Sequence, residues 1–326
     1  MLRIAPRLVA ALLLAGILCP VFAADVTDPS QADSDFAIQG EYTGELGQGD
    51  DKLKYGVQII ALGDHKFHAV GYPGGLPGDG WILKDKVEAD GETKDGVTKF
   101  KSDHGSALVE KGDLLRIFHL DDSEVGVLKK VKRESPTLGE KPPEGAVVLF
   151  DGKNADAFTN GKLSPEGWLL QGVTSKQKFQ SCKVHLEFLL PYMPAARGQG
   201  RANSGCYLQG RYEVQILDSF GLEGKNNECG GIYTIRDPSV NMCFPPLSWQ
   251  TYDIDFTAAK FENGKKTQDA TMTVRHNGVE VQKDVKLTHA TTAAPVGEGA
   301  EPGPLYLQDH GNPVRFRNIW VVEKKD

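Results

Sequence analysis

Asn203-Ser-Gly-Cys-Tyr-Leu-Gln-Gly-Arg-Tyr-Glu-Val-Gln-Ile-Leu-Asp218, followed shortly by Asn226-Asn-Glu-Cys-Gly-Gly-Ile-Tyr-Thr-Ile-Arg-Asp237, contains three short β-like runs and the densest set of polar side chains in the chain. In the run 212–218, alternation puts Glu213, Gln215 and Leu217 on one face and Val214 and Ile216 on the other. Such a strand buries its apolar face and offers a polar one. Side chains two positions apart on a strand are separated by roughly 6.6 Å, so Glu213 and Gln215 can both touch one sugar-sized ligand. On a two-faced sheet the same residues can simply be the solvated side. The crowding of Asn203, Tyr207, Gln209, Glu213, Gln215 and Glu228 into one segment, with Tyr233 on the next run, favours a binding site.

Outward from this stretch, residues 146–326 read as a run of eleven short strands separated by turn residues, the pattern of an all-β, two-sheet sandwich. The hairpin 271–281 is the clearest local signal, because Asn277-Gly278 suits the two-residue turn that matches strand twist. Pro245-Pro246 excludes an interior strand at 241–249 and points to a loop over one rim. Upstream, residues 133–145 hold three prolines and two glycines within the stretch Ser135 to Gly145, the composition of a stiff linker. Before it, residues 36–132 form a small β-rich unit, with strands expected at 56–62, 66–72, 97–102, 106–111, 114–120 and 125–132.

The first residues carry Arg3 and Arg7, then an apolar run from Leu8 to Leu18, then small residues ending at Ala23. That is the layout of a secretory signal peptide over residues 1–23, which makes the mature protein exported, to the periplasm or the outside of a bacterial cell. No later apolar run approaches the ~20 residues that span a bilayer, so no membrane partner is expected. A net charge of −7 also argues against nucleic acid, whose phosphates call for clustered Lys and Arg. Beyond the leader stand Cys182, Cys206, Cys229 and Cys243. In an oxidising compartment an even number favours disulfides, and a Cys229–Cys243 bridge would contribute roughly 3 kcal/mol, although four cysteines allow three pairings. The spacing lacks any CxxC, which weighs against a zinc site.

Several segments together carry a family resemblance: Asn203-Ser-Gly205, Gly210-Arg-Tyr-Glu-Val-Gln-Ile-Leu-Asp-Ser219, Trp249-Gln-Thr-Tyr-Asp-Ile254, His276-Asn-Gly-Val279, Gly303-Pro-Leu-Tyr-Leu-Gln-Asp-His-Gly311 and Arg315-Phe-Arg-Asn-Ile-Trp320. In this order they resemble the 3-keto-disaccharide hydrolase family. The resemblance implies a concanavalin A-like jelly-roll sandwich, here preceded by the small β-rich N-terminal domain. It also implies cleavage of glycosides already oxidised to a ketone at C3. A C3 ketone acidifies the C2 hydrogen, so a base can remove it, the group on C1 departs, and water adds across the new double bond. That route needs a base, an acid and a group to hold the enolate oxygen.

Within that chemistry Glu213 and His310 are the candidate acid/base pair. Asn203, Tyr207, Gln215, Glu228, Tyr233 and Gln308 are candidates to bind hydroxyls of a small carbohydrate substrate. Arg211, Arg315 and Arg317 are candidates for the enolate oxygen, and Arg197 is a loop residue that could close over substrate. The sequence requires no cofactor. A divalent ion held by Glu213, Glu228 or His310 is an alternative electrophile. A laminarinase-like glycosidase is disfavoured, because such enzymes carry acids at alternate strand positions and here the second position is Gln215. A sugar-binding jelly roll without chemistry is the remaining alternative.

Overall fold

The computed structural model describes residues 25–82 and 85–325; the leader sequence lies outside them. Eight strands form a closed antiparallel barrel in sequence order: β1 (Gly40–Leu46), β2 (Leu53–Gly63), β3 (Lys66–Pro73), β4 (Val87–Lys94), β5 (Val97–Ser102), β6 (Gly105–Glu110), β7 (Leu114–Phe118) and β8 (Glu124–Val131). Two of these, β1 and β4, were not expected from the sequence. Strand β4, Val-Glu-Ala-Asp-Gly-Glu-Thr-Lys, buries only part of one face, so its polar residues mask the alternation. Inside the barrel Tyr42, Ile59, Phe67, Phe100 and Leu128 form the core.

The second half is a jelly-roll sandwich. Its strands are β9 (Val147–Phe150), β10 (Phe158–Thr159), β11 (Leu169–Leu170), β12 (Val173–Phe179), β13 (Cys182–Leu189), β14 (Ser204–Leu208), β15 (Tyr212–Ile216), β16 (Trp249–Thr257), β17 (Lys260–Glu262), β18 (Lys265–Gln268), β19 (Ala270–His276), β20 (Val279–Leu287), β21 (Gly303–Leu307) and β22 (Arg315–Glu323). One sheet runs β10-β12-β21-β14-β15; the other runs β11-β22-β13-β16-β19-β20, with β9 beside β22. Val214 and Ile216 are fully buried between the sheets, each burial worth about 1.5–3 kcal/mol. They thereby fix β15 so that Glu213 and Gln215 face away from the core. The Asn277-Gly278 turn has positive φ at both residues, 50° and 80°, as the hairpin requires. The run 230–235 does not continue as a strand, because Thr234 turns the chain at φ 59°; only a bridge joins Ile232 to Val214.

The two halves share a core, because Ile60, Val70 and Tyr72 on the outer face of the barrel join the apolar cluster of the sandwich. Residues 133–145 lie against the sheet that contains β16. Ser135 Oγ and Thr251 Oγ1 are 2.6 Å apart, Thr137 donates to Asp253 at 2.7 Å, and the Gly139 N–H donates to Glu187 at 2.6 Å. The disulfide expected between Cys229 and Cys243 is not formed, and all four cysteines are buried free thiols. Cys229 Sγ sits 3.1 Å from the Tyr252 hydroxyl and Cys243 Sγ donates to the Leu217 carbonyl at 3.6 Å, so both sulfurs are engaged as thiols. Among the described residues no helix is long and apolar enough to cross a membrane.

Candidate active site

Strands β14, β15 and β21 lie side by side, in register Tyr207 opposite Glu213, Gly205 opposite Gln215, and Tyr207 opposite Tyr306. On their face away from the core they enclose a cavity of about 80 Å³, the space of a few waters by volume. Seven of the twelve candidate residues line it: Asn203, Tyr207, Glu213, Gln215, Tyr233, Gln308 and His310. Glu213 supplies the lining's one carboxylate and is almost fully buried, whereas His310 stands exposed at the rim.

Room for the Glu213 carboxylate comes from Gly205. A β-carbon at that position would lie 2.1 Å from Glu213 Oε1, so glycine there lets the carboxylate keep its observed position. Burial pushes the Glu213 carboxyl up to about 7, and a hydrogen bond from the Tyr207 hydroxyl offsets this only in part. Gln308 Nε2 donates to the Tyr207 oxygen at 3.2 Å, so an amide, a phenol and a carboxyl form one relay. The Glu213 N–H is held by Thr291 Oγ1 at 3.1 Å, which pins the strand to the 289–302 loop.

The other side of the cavity is built on Gln199. Its Oε1 accepts from Gln215 Nε2 at 3.0 Å and from Asn203 Nδ2 at 3.1 Å, while its Nε2 donates to the Asn227 carbonyl at 2.8 Å. Asn203 Oδ1 is buried with no hydrogen-bond partner. A buried acceptor left open costs about 1–3 kcal/mol, and a donor on a ligand would remove that cost.

Five candidates lie elsewhere. Arg197 donates to the carbonyls of Pro194, Ala196 and, across to the barrel, Leu62. Arg211 points along its strand edge to Gly297 O at 2.7 Å, Glu301 O at 2.9 Å and Gln209 Oε1 at 2.9 Å, and so anchors a loop. Glu228 accepts the N–H groups of Gly224 at 2.6 Å and Lys225 at 3.1 Å, closing a turn. The metal set of Glu213, Glu228 and His310 is therefore not assembled, because Glu228 is committed to that turn. Arg315 and Arg317 are on the opposite sheet, where Arg317 pairs with Glu187 at 2.6 Å and stacks over Trp249. Among the described residues one trio of side chains brings metal-type ligand atoms together, Glu140, His185 and Asp253, also outside this cavity.

Gln199, Thr292 and Ala293 line the cavity and were not picked out from the sequence. Gln199 comes from a one-turn 3₁₀ segment and Thr292 and Ala293 from a loop, where no periodicity reports which way a side chain faces.

The fold is a concanavalin A-like jelly roll with a polar cavity on the outer face of one sheet. The chain belongs to the family of 3-keto-alpha-glucoside-1,2-lyase-like domains, whose model matches residues 145–322. It is similar to a proposed glycosyl hydrolase of Parabacteroides distasonis, at 33% identity and a TM-score of 0.52, over 56% of this chain and 85% of that one. A second proposed glycosyl hydrolase of the same organism matches at 18% identity and a TM-score of 0.41, over 56% of this chain and 95% of that one. A search of curated proteins found no match.

Proposed function

We propose that this protein is an exported carbohydrate-active enzyme that cleaves 3-keto-glycosides by proton abstraction at C2, elimination and hydration. The observation that carries the proposal is the cavity itself: one buried carboxyl poised to about 7, one imidazole at the rim, and no second carboxylate beside them. A glycosidase working through an oxocarbenium ion uses two carboxyls. A base near neutral pKa is what removal of a weakly acidic C–H at physiological pH favours. The family to which residues 145–322 belong is described by this same 1,2-elimination chemistry, and the P. distasonis relative is named for glycoside hydrolysis.

In this scheme ionised Glu213 takes the C2 proton, and the C–H electron pair forms the enolate of the C3 ketone. The enolate collapses to restore the ketone and form a C1=C2 double bond, while the C1–O bond breaks and His310 protonates the departing oxygen. Neutral His310 then takes a proton from water as it adds to C1, and Glu213 returns its proton to C2. The sum is hydrolysis, with no net change in either residue. No arginine lines the cavity, and Gln215 Nε2 already donates to Gln199 and Asn227, so the enolate oxygen is assigned to the second amide hydrogen of Gln308, and the open Asn203 Oδ1 to a sugar hydroxyl. At about 80 Å³ the cavity is smaller than a disaccharide, so in this scheme only the reacting edge of one ring enters it.

The test is to incubate the purified protein with a 3-keto-disaccharide, its unoxidised parent and a β-glucan, in water and in D2O. Consumption of the keto-sugar alone, with deuterium appearing at C2, is expected. Binding without turnover leaves a lectin-like module, and reducing ends released from the glucan would instead establish an ordinary glycosidase.

A further inference from the structure

The N-terminal barrel has an interior that is not filled. In an eight-stranded barrel the lumen is just wide enough for side chains to pack it or for one small ligand to occupy it. At one end Tyr42, Ile59, Phe67 and Leu128 close this barrel, and the Tyr42 hydroxyl ties the plug together through the carbonyls of Ile38, at 2.7 Å, and Gly112, at 3.0 Å. At the other end, where β1, β3, β5 and β7 finish, the inward positions are small: Ala69, Gly71, Ala89 and Ala107. Ala69 and Ala89 sit directly opposite each other, as do Gly71 and Val87, so the small residues are clustered. They leave a cavity of about 220 Å³ walled by Phe100, Leu115, Ile117 and Phe118.

The lining contains no Asp, Glu, Lys or Arg. Burying a net charge there would cost several kcal/mol without a counter-charge, so an occupant must be neutral. Among the described residues, none hydrogen-bonds the hydroxyl of Tyr55, which lies at the cavity wall beside the bare backbone of Gly71; a β-carbon on Gly71 would come within 2.7 Å of that oxygen. Burial pushes the Tyr55 phenol above its ordinary pKa, which keeps it a neutral donor. An apolar protein cavity of about 150 Å³ holds a benzene ring, so this larger one takes a ring with a substituent. His104, His119, Ser102 and Ser106 add the polar groups of its lining.

We propose that the barrel is a second binding site, separate from the sandwich cavity, for a neutral one-ring apolar molecule with a single polar substituent that hydrogen-bonds Tyr55. The site is independent of the glycoside chemistry proposed above, and its test uses no sugar. Fluorine NMR titrations of the full mature chain with 4-fluorophenol and with fluorobenzene would measure it. Saturable binding of both is expected, with the phenol tighter. Ala107→Leu, which fills the cavity, should weaken both by at least about tenfold, and Tyr55→Phe should weaken only the phenol, by about fivefold, one hydrogen bond's worth. If Ala107→Leu does not fold, Ala89→Leu fills the same space with the same expectation. Absence of saturable binding at millimolar probe, or affinities untouched by either filling variant, overturns the site. Equal affinities of both probes for the Tyr55→Phe and parent proteins overturn the role of the hydroxyl.

Discussion

Two glutamates, one on each sheet of the sandwich, are almost completely removed from water, and they are treated in opposite ways. Glu187 on β13 accepts from Arg317 at 2.6 Å, Asn318 at 2.8 Å and the Gly139 N–H at 2.6 Å, with His185 nearby. Burial works to raise its pKa, but these donors hold it at about 2. Glu213 on β15 has burial of the same kind and a single phenol as its side-chain donor, and rises to about 7. Burial alone therefore does not mark a functional carboxyl. A carboxyl surrounded by donors is a fixed anion that fastens the 133–145 segment and β22 to β13, whereas one left nearly unpartnered keeps its proton to higher pH, which is what the proposed role of Glu213 in proton transfer requires.

The largest expected difference between them is in turnover. Glu213→Gln should lower the rate on a 3-keto-disaccharide by about 10²–10⁴-fold, as loss of a proton-transfer group does, whereas Glu187→Gln should leave the rate per folded molecule within about twofold. Stability should invert the order. Glu187→Gln leaves Arg317 without its carboxylate and His185 with Asp253 alone, and should cost about 3 kcal/mol in denaturant unfolding at pH 7. Glu213→Gln should gain on the order of 1–3 kcal/mol at pH 8 and nothing near pH 4.5, because only the ionised parent suffers from desolvation. Loss of activity in both variants, or stabilisation in neither, would show that the two carboxyls are not distinct in kind.

The same contrast sets the dependence of stability on pH. Glu187 is depressed from 4.5 to about 2, so its contribution is present above pH 4.5 and is lost as the pH falls toward 2. Burial works to lower the pKa of His185, but Asp253 and Glu187 hold it at about 9, so its contribution is complete below 6.5 and is lost as the pH rises to 9. Glu213 is raised, so the native state binds the extra proton between 4.5 and 7 and loses stability across that interval. The three together put maximum stability near pH 4.5, with a decline on the alkaline side that Glu213→Gln should confine to pH above 6.5. Unfolding midpoints measured across pH 3 to 9 for the parent and Glu213→Gln proteins would check this. A parent maximum near pH 8 contradicts it.

Much of the polar face was legible because a strand has only two sides. With Val214 and Ile216 in the core, alternation turns Glu213 and Gln215 the other way, and the two-residue spacing of Gln308 and His310 lets both share one side. Side chains whose direction depends on loop geometry were not legible. Arg211 neighbours the site in sequence but turns to the carbonyls of Gly297 and Glu301, which no periodicity could indicate. Glu228 became a turn acceptor, and Gln199, the hub of the amide network, sits in a one-turn 3₁₀ segment with no pattern to read. The cysteines illustrate a further limit: spacing allowed a Cys229–Cys243 bridge, but the tyrosine hydroxyl and carbonyl that engage the two sulfurs come from Tyr252 and Leu217, on other elements. The barrel hid β4 for a different reason, because a strand with one face largely in water reads as polar turn.

A smaller effect probes how the site keeps its geometry. Gly205→Ala puts a methyl group where Glu213 Oε1 lies, and the carboxylate has to swing toward the cavity mouth. The rate should fall by about tenfold, with the acid limb of the pH–rate profile moving down, because a displaced carboxylate is better solvated. An unchanged rate would mean that Glu213 does not act from the observed position.

The smallest expected effect is at Tyr207. Its hydroxyl is the one side-chain donor that lowers the Glu213 pKa, and it is itself held by Gln308 at 3.2 Å. Tyr207→Phe removes that donor with little change in shape, so the carboxyl should become still harder to ionise. The acid limb of the profile should therefore move up by about one unit or less, while the plateau rate at high pH falls no more than about threefold. Because Gly205→Ala shifts the limb down and Tyr207→Phe shifts it up, the pair separates solvation from hydrogen bonding at a single carboxyl. If both variants moved the limb in the same direction, the group titrating in the profile would not be Glu213, and His310 at the rim would be the group to examine by the same measurement.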